Sequence, residues 1–238
     1  MANYKIIIQY DGTRYKGWQR QKTTDQTIQG KIEAILSRQY GRTIEIDGSG
    51  RTDAGVHAHG QVANFRLSDA CCAGKTPEEL CEELRQIFVQ YLPEDIAVTE
   101  VRAASERFHS RLNVVKKTYV YRIWNADYPN VFERKYMLHD NRPMDVEAMR
   151  QAAQYLLGKH DFAAFCGNAK MKKSTVRTIH EIDIRRIGEE IRFTYTGNGF
   201  LQNMIRILTG TLVDVGCGVY PPERVAEILA SKVRAEAG

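Results

Sequence analysis

Arg42-Thr43-Ile44-Glu45-Ile46, then Asp47-Gly48-Ser49-Gly50-Arg51-Thr52-Asp53-Ala54-Gly55-Val56-His57-Ala58-His59-Gly60, then Gln61-Val62-Ala63-Asn64-Phe65-Arg66: read in that order, the run is strand, loop, strand. The first five residues alternate in polarity, which predicts a half-buried strand. The last six predict a second strand leading away. Gly48 and Gly50 are expected to take backbone angles closed to other residues, turning the chain sharply off the strand end. Gly55 leaves room for something large to approach. The loop thus holds one carboxylate, Asp53, and one guanidinium, Arg51, between two strands.

Spacing narrows what such a loop can do. Asp and Gly are ordinary turn residues, so the simplest reading is a tight connection in which Asp53 caps its own turn. A phosphate-binding P-loop needs Gly-Lys-Ser/Thr opening a helix and another glycine five residues earlier. The chain's one such triplet, Gly74-Lys75-Thr76, has Asp69 where that glycine belongs. A calcium loop would need an oxygen ligand at the position of Arg51. Asp47, Asp53, His57 and His59 could ligate a metal, but their spacing matches no standard set.

The flanking segments supply the fold. Residues 5–10, Lys-Ile-Ile-Ile-Gln-Tyr, predict a buried strand that ends at Asp11-Gly12. Thr27 opens a helix with Ile28, Ile32, Ile35 and Leu36 at helical spacing. Residues 77–89 predict a second helix: Pro77 suits its first turn, glutamates favour its N-terminal end, and Leu80, Leu84, Ile87 and Phe88 form the buried stripe. Residues 96–101 predict a strand. Strand, helix, strand, strand, helix, strand is the ferredoxin-like split arrangement, a platform that RNA-recognition domains also use.

The polar bridge Phe108-His109-Ser110-Arg111 places a domain boundary near Leu112, giving domains of residues 1–112 and 113–238. The second half approximates the first. Residues 116–124 alternate as a strand that puts Tyr119, Tyr121 and Ile123 on one face. A helix over 146–157 follows, then strands over 178–186 and 190–196 joined at Gly188. Gly197-Asn198-Gly199-Phe200-Leu201-Gln202-Asn203-Met204-Ile205-Arg206 opens a long helix through Val215, and Pro221-Pro222 starts a short closing one. The predicted class is therefore α+β, two ferredoxin-like subdomains with mainly antiparallel sheets.

The chain has 238 residues, 43% hydrophobic and 26% charged, which is enough apolar content for a real core. No run approaches the roughly 18 apolar residues of a membrane span, and the N-terminus lacks signal-peptide shape. Five cysteines without a Cys-x-x-Cys pair read as reduced thiols of a cytoplasmic protein. Net charge is +5 and unevenly spread. Residues 101–122 carry six basic side chains against one acidic, and Lys170, Lys172, Lys173 and Arg177 follow with no acid among them. Such segregation suits a polyanion on one face. The segment Tyr10-Asp11-Gly12-Thr13-Arg14-Tyr15-Lys16-Gly17-Trp18-Gln19-Arg20-Gln21 interleaves aromatics, glycines and cations, a mixture suited to nucleic-acid backbone. Arg14, Lys16, Arg20, Lys170, Lys172 and Lys173 are the candidate RNA-binding residues.

The eleven residues from Gly48 to Ala58 resemble the active-site signature of the tRNA pseudouridine synthase A family. Tyr10-Asp11-Gly12 with Gly17-Trp18-Gln19, Lys117-Thr118-Tyr119-Val120-Tyr121-Arg122 and the Gly199–Arg206 segment are similar to three further signatures of that family. The resemblance thus covers essentially the whole chain. It implies that Asp53 is the catalytic aspartate, that Arg206 pairs with it, and that Tyr119 packs against the target base, with a catalytic cleft between the two subdomains. Arg51 is expected to help hold the target nucleotide out of its helix, and His57 to line the substrate site. It also implies isomerisation of uridines 38, 39 and 40 in the tRNA anticodon arm, without metal or organic cofactor, by a homodimer whose partner is tRNA. A non-catalytic RNA-binding protein on the same platform and a metal-dependent phosphohydrolase are the alternatives.

Overall fold

Strand β1 (Ala2–Tyr10) turns Tyr4, Ile6, Ile8 and Tyr10 into the core and leaves Lys5, Ile7 and Gln9 on the other face. It lies inside an antiparallel sheet with β2 (Ile46–Gly48), β3 (Ala58–Leu67) and β4 (Ile96–Ala104), in the order β2-β3-β1-β4. Helices α1 (Ile28–Tyr40) and α3 (Pro77–Tyr91) bury Ile28, Ile32, Leu36, Leu80, Leu84 and Phe88 in the same cluster as Ile6 and Ile8. A four-residue helix, α2 (Asp69–Cys72), precedes α3. This is the predicted split arrangement. Its helix starts are written in the sequence: the Thr27 hydroxyl accepts from the Gly30 amide, and Thr76 and Glu79 form a capping box ahead of Pro77. Each such cap is worth about 1 kcal/mol.

The computed structural model describes residues 1–72, 74–168 and 170–238. They divide into two units, Met1–Val114 and Val115–Gly238. Among them no helix is long and apolar enough to cross a membrane.

The second unit has a five-stranded sheet in the order β6-β5-β9-β8-β7. Its strands are β5 (Lys117–Trp124), β6 (Leu138–His139), β7 (Gly158–Asp161), β8 (Val176–Ile187) and β9 (Glu190–Gly197). All neighbours are antiparallel except β5 and β6. Helices α4 (Val146–Gln154), α5 (Met204–Gly216) and α6 (Arg224–Ser231) bury Met149, Leu208, Leu212, Val225 and Ile228 in one core with Ile123, Ile184, Phe193 and Tyr195. Arg122 crosses to Glu190 on β9 through two hydrogen bonds of 2.9 and 2.6 Å, and also reaches Glu133. These bonds hold the Glu190 carboxyl at about 2, down from 4.5.

Three details depart from the sequence reading. Residues 42–45 are not strand, and only Ile46 onward pairs with β3. The Ile44 amide donates to the Ser37 hydroxyl and the Ile46 amide to the Glu33 carboxylate, so side chains of α1 take donors that a longer strand would have offered a neighbour. Gly199 does not open the last long helix, which begins at Met204 after an irregular turn. The bridge 108–111 is not simply polar surface: Ser110 is buried, its hydroxyl donating to the Asp47 carbonyl and its amide to the Asn64 side-chain oxygen.

Candidate active site

In the first unit, the chain between β2 and β3 is pinned from outside the sheet by the segment after β1. The Trp18 amide donates to the Thr52 carbonyl at 3.0 Å, and the Gly55 amide to the Tyr15 carbonyl at 3.3 Å. The Tyr10 hydroxyl lies 2.9 Å from the Thr52 hydroxyl. The Val56 amide closes the tip onto the Asp53 carbonyl at 3.2 Å. Downstream, Gln61 reaches back to the Gly50 carbonyl and to the Ser49 hydroxyl. Backbone on both sides of Asp53 is therefore committed, while the Asp53 side chain, like that of Arg51, is exposed. Among the described residues of this unit no cation pairs with the Asp53 carboxylate.

The glycines of this loop act differently from expectation. Neither Gly48 nor Gly50 has a positive φ; that conformation falls on Gly55, at +76°. Gly48 is required instead by the indole of Trp18, which a Cβ at position 48 would meet at 2.6 Å. Gly17 answers on the other strand of this contact. Its φ is +96° and a Cβ there would stand 2.7 Å from the Thr52 carbonyl. Any side chain at either position would push the two segments apart.

The same geometry places the large aromatics of residues 10–21 inside the unit. Tyr10, Tyr15 and Trp18 are 4%, 4% and 2% exposed, so their rings brace the Asp53 loop from the core side. Burial and the Asp95 carboxylate, which accepts from the Tyr15 hydroxyl at 2.6 Å, raise the Tyr15 pKa well above the ordinary phenol value. Of the cations in this segment, Arg14 is tied to Asp95 at 2.6 Å. Arg20 lies 3.0 Å from the buried carboxylate of Glu33 and 3.4 Å from Glu45. Lys16 is exposed. His57 faces inward along the same seam: its Nδ1 is 3.0 Å from the Gly12 amide nitrogen and 3.0 Å from an Asp11 carboxylate oxygen. An Nδ1 that accepts the Gly12 proton has none to give Asp11, so the Gly12 bond and a bond donated to Asp11 exclude each other. His57 thus fixes the turn that carries the loop.

In the second unit, Tyr119 lies on β5 opposite Tyr195 and on the same face as Ile123. Ile123 is fully buried and Tyr119 only partly so, near the strand's beginning. The Phe200 ring meets Tyr119 edge to face, centroids 5.2 Å apart and planes at 80°. That contact fixes the tyrosine ring. The sequence reading assigned no role to Phe200; an aromatic after Asn198-Gly199, just past a strand end, was the available signal. Arg206 is exposed in the first turn of α5. A cation there opposes the helix dipole, and no acidic residue shares the turn. The residue before the helix, Asn203, has φ 56° and makes no capping bond. Local rules of stability are thus broken at the turn that presents Arg206. Lys170, Lys172 and Lys173 are exposed on the loop before β8, which Met171 anchors to the core.

The first unit thus presents a pinned, exposed carboxylate on a ferredoxin-like sheet, and the second an aromatic pair and an arginine-bearing helix start. Comparison with known proteins is specific. The sequence model for tRNA pseudouridine synthase matches residues 6–113 and 152–238. A tRNA pseudouridine synthase A of Bacillus sp. (strain KSM-64) is 50% identical over 238 residues, covering 100% of this chain and 94% of that protein. A tRNA pseudouridine synthase A 2 of Bacillus cereus is 45% identical over 235 residues, covering 98% and 92%. A tRNA pseudouridine synthase A 1 of Clostridium tetani is 45% identical over 237 residues, covering 100% and 94%. The chain belongs to the tRNA pseudouridine synthase family, whose members are isomerases. Arg51, Asp53, His57 and Arg206 fall within the matched segments, and Tyr119 falls between them.

Proposed function

We propose that this chain converts uridine to pseudouridine at positions 38, 39 and 40 of the tRNA anticodon arm, with Asp53 as the reacting group. In this reaction the N1–C1′ bond of the target uridine breaks, the uracil turns, and a C5–C1′ bond forms. The C5 proton is released and N1 takes one up, so the product is an isomer and no electrons change hands. Asp53 acts as nucleophile or base at the sugar or the base. Arg206 is its counter-ion, and Tyr119 supplies the face on which the uracil turns. Arg51 holds the target nucleotide out of its stack, against an extrusion cost of a few kcal/mol.

The observation that carries this reading is the state of the Asp53 loop. Its backbone is bonded on both sides, yet its carboxylate is exposed and bonded to nothing among the described residues of its own unit. A turn residue that merely capped its own loop would spend that carboxylate on local amides, as Asp11 does with Thr13. The enzyme works as a homodimer in the cytoplasm, where its tRNA is.

Unmodified tRNA incubated with the protein in the presence of a chelator should acquire pseudouridine at positions 38–40, located by carbodiimide-dependent primer-extension stops. Pseudouridine at other positions only would overturn the site assignment. Its absence with chelator, but appearance with a divalent ion, would replace this chemistry with a metal-dependent one.

A further inference from the structure

Arg177 is the second residue of β8 and, with Arg134, Arg186, Arg206 and Arg234, one of five arginines among the described residues of its unit that meet no carboxylate. Arg122, Arg142, Arg150, Arg185, Arg192 and Arg224 each stand 3.1 Å or closer to an acidic oxygen. Among the described residues Arg177 has no such partner, although its side chain is partly buried. Burial lowers its pKa from the ordinary arginine value, the opposite direction from Arg122. A partly desolvated guanidinium without a counter-ion is costly to keep.

The guanidinium is also aimed. Its Nη1 donates to two backbone carbonyls, Ser174 at 2.9 Å and Val176 at 2.7 Å, which uses both protons of that nitrogen. Among the described residues the remaining edge, Nε and Nη2, has no acceptor. That edge is the fork which binds a phosphate through two parallel hydrogen bonds. Two carbonyl bonds already hold the plane still, so little freedom is lost on binding.

Its neighbours connect it to the base platform. Arg177 Nε lies 3.8 Å from where a Cβ of Gly199 would stand, and Phe200, the next residue, packs against Tyr119. Glycine at 199 leaves the edge uncovered. We infer that Arg177 binds the backbone phosphate beside the target uridine, fixing that nucleotide while its base lies at Tyr119. This inference rests on the proposed function, since it names a further positioning contact for the same substrate. It differs from the exposed lysines at 170, 172 and 173, which have no fixed geometry.

The test uses the full-length protein and an anticodon stem-loop RNA in which each phosphate near position 39 is replaced, one at a time, by a neutral methylphosphonate. Wild-type binding is expected to weaken about tenfold at one linkage. Arg177→Gln is expected to bind the unmodified RNA about tenfold less tightly, with a salt slope smaller by about one. It should be insensitive to replacement at that same linkage. Arg177→Lys keeps charge without the fork, and should recover the salt slope but only part of the affinity. If Arg177→Gln retains the wild-type loss at every linkage, Arg177 touches no phosphate and the inference is overturned. A fall in melting temperature with unchanged linkage dependence would likewise assign it to bracing the 174–176 loop. If the Gln variant does not fold, the Lys variant is carried through the same linkage scan: a loss smaller than wild type at that one linkage supports the inference, and the full wild-type loss at every linkage overturns it. Wild-type protein that leaves unmodified tRNA unchanged would instead remove the proposed function, a result read before any variant is made.

Discussion

In the first unit β4 lies antiparallel beside β1 and completes the sheet; in the second, the place beside β5 is taken by β6, two residues long and parallel. The crossover helix α5 leads not to a closing strand but to α6, and the sheet gains β7 on its far edge instead. The functional segments differ in the same sense. The Asp53 loop is held by bonds from three directions and by glycines that admit a close neighbour. The turn ahead of α5 carries an asparagine in the left-handed region, no cap, and an arginine at the wrong end of a helix dipole. One unit fixes an exposed carboxylate in place; the other presents an arginine from an uncapped turn at some cost to its own stability.

The largest effect should come from loosening the pinned side. Trp18→Ala removes a 2% exposed indole that lies against Gly48, and should destabilise the protein by about 3–5 kcal/mol. Thermal melts give the stability, and pseudouridine yield at a temperature where the variant is folded gives the effect on the loop. A variant that is destabilised but as active as wild type would show that the Asp53 loop needs no brace.

Glu190→Gln probes the second unit where it is as well organised as the first. A carboxyl held at about 2 in the folded chain, from 4.5, contributes stability that is present above about pH 4.5 and lost as pH falls toward 2. Burial makes the loss on substitution on the order of 2–3 kcal/mol at neutral pH. Urea unfolding from pH 7 to pH 2 should show wild-type stability falling through the lower half of that range and the variant changing less. Equal pH dependence in both would remove Glu190 from the account of acid stability.

On the open side, changing Lys170, Lys172 and Lys173 together to Ala should weaken tRNA binding roughly tenfold at moderate salt and reduce the salt slope by about two. Single-turnover rate at saturating tRNA should hardly move. An unchanged slope would mean that this loop faces solvent in the complex. The smallest effect is expected at Asn203, φ 56°. Asn203→Gly should stabilise the protein by less than about 1 kcal/mol, because glycine takes that conformation without penalty. A loss of stability would mean that the asparagine side chain is doing more than occupying a turn.

Much of this could be read from the sequence because it rests on local rules. Thr27 and Pro77 start their helices as predicted, and the order of elements in the first half gives the sheet. What escaped depends on residues far apart in the chain. Residues 42–45 alternate like a strand, but Ser37 and Glu33 on α1 claim the amides of Ile44 and Ile46. That Tyr15 and Trp18 are core residues shows only once Gly48 is seen to accept the indole. The parallel β6 is too short to carry a periodic signal. For the site, Asp53 and Arg51 were legible as side chains of a strand-to-strand loop; that Arg14 and Arg20 face carboxylates was not, since Asp95 and Glu33 lie elsewhere in the sequence.

The central claim, that the pinned carboxylate and the arginine of the open turn serve one reaction, is tested most directly by single-turnover pseudouridine formation with tRNA saturating, so that binding defects drop out. Asp53→Asn keeps the shape of the loop and removes the charge and nucleophile; Arg206→Ala removes the cation. Both variants are predicted to bind tRNA within a few fold of wild type, Asp53→Asn to form no detectable pseudouridine, and Arg206→Ala to be slower by at least about a hundredfold, with Arg206→Lys in between. Turnover within about tenfold of wild type in Asp53→Asn, or an Arg206→Ala variant as fast as wild type, would contradict it.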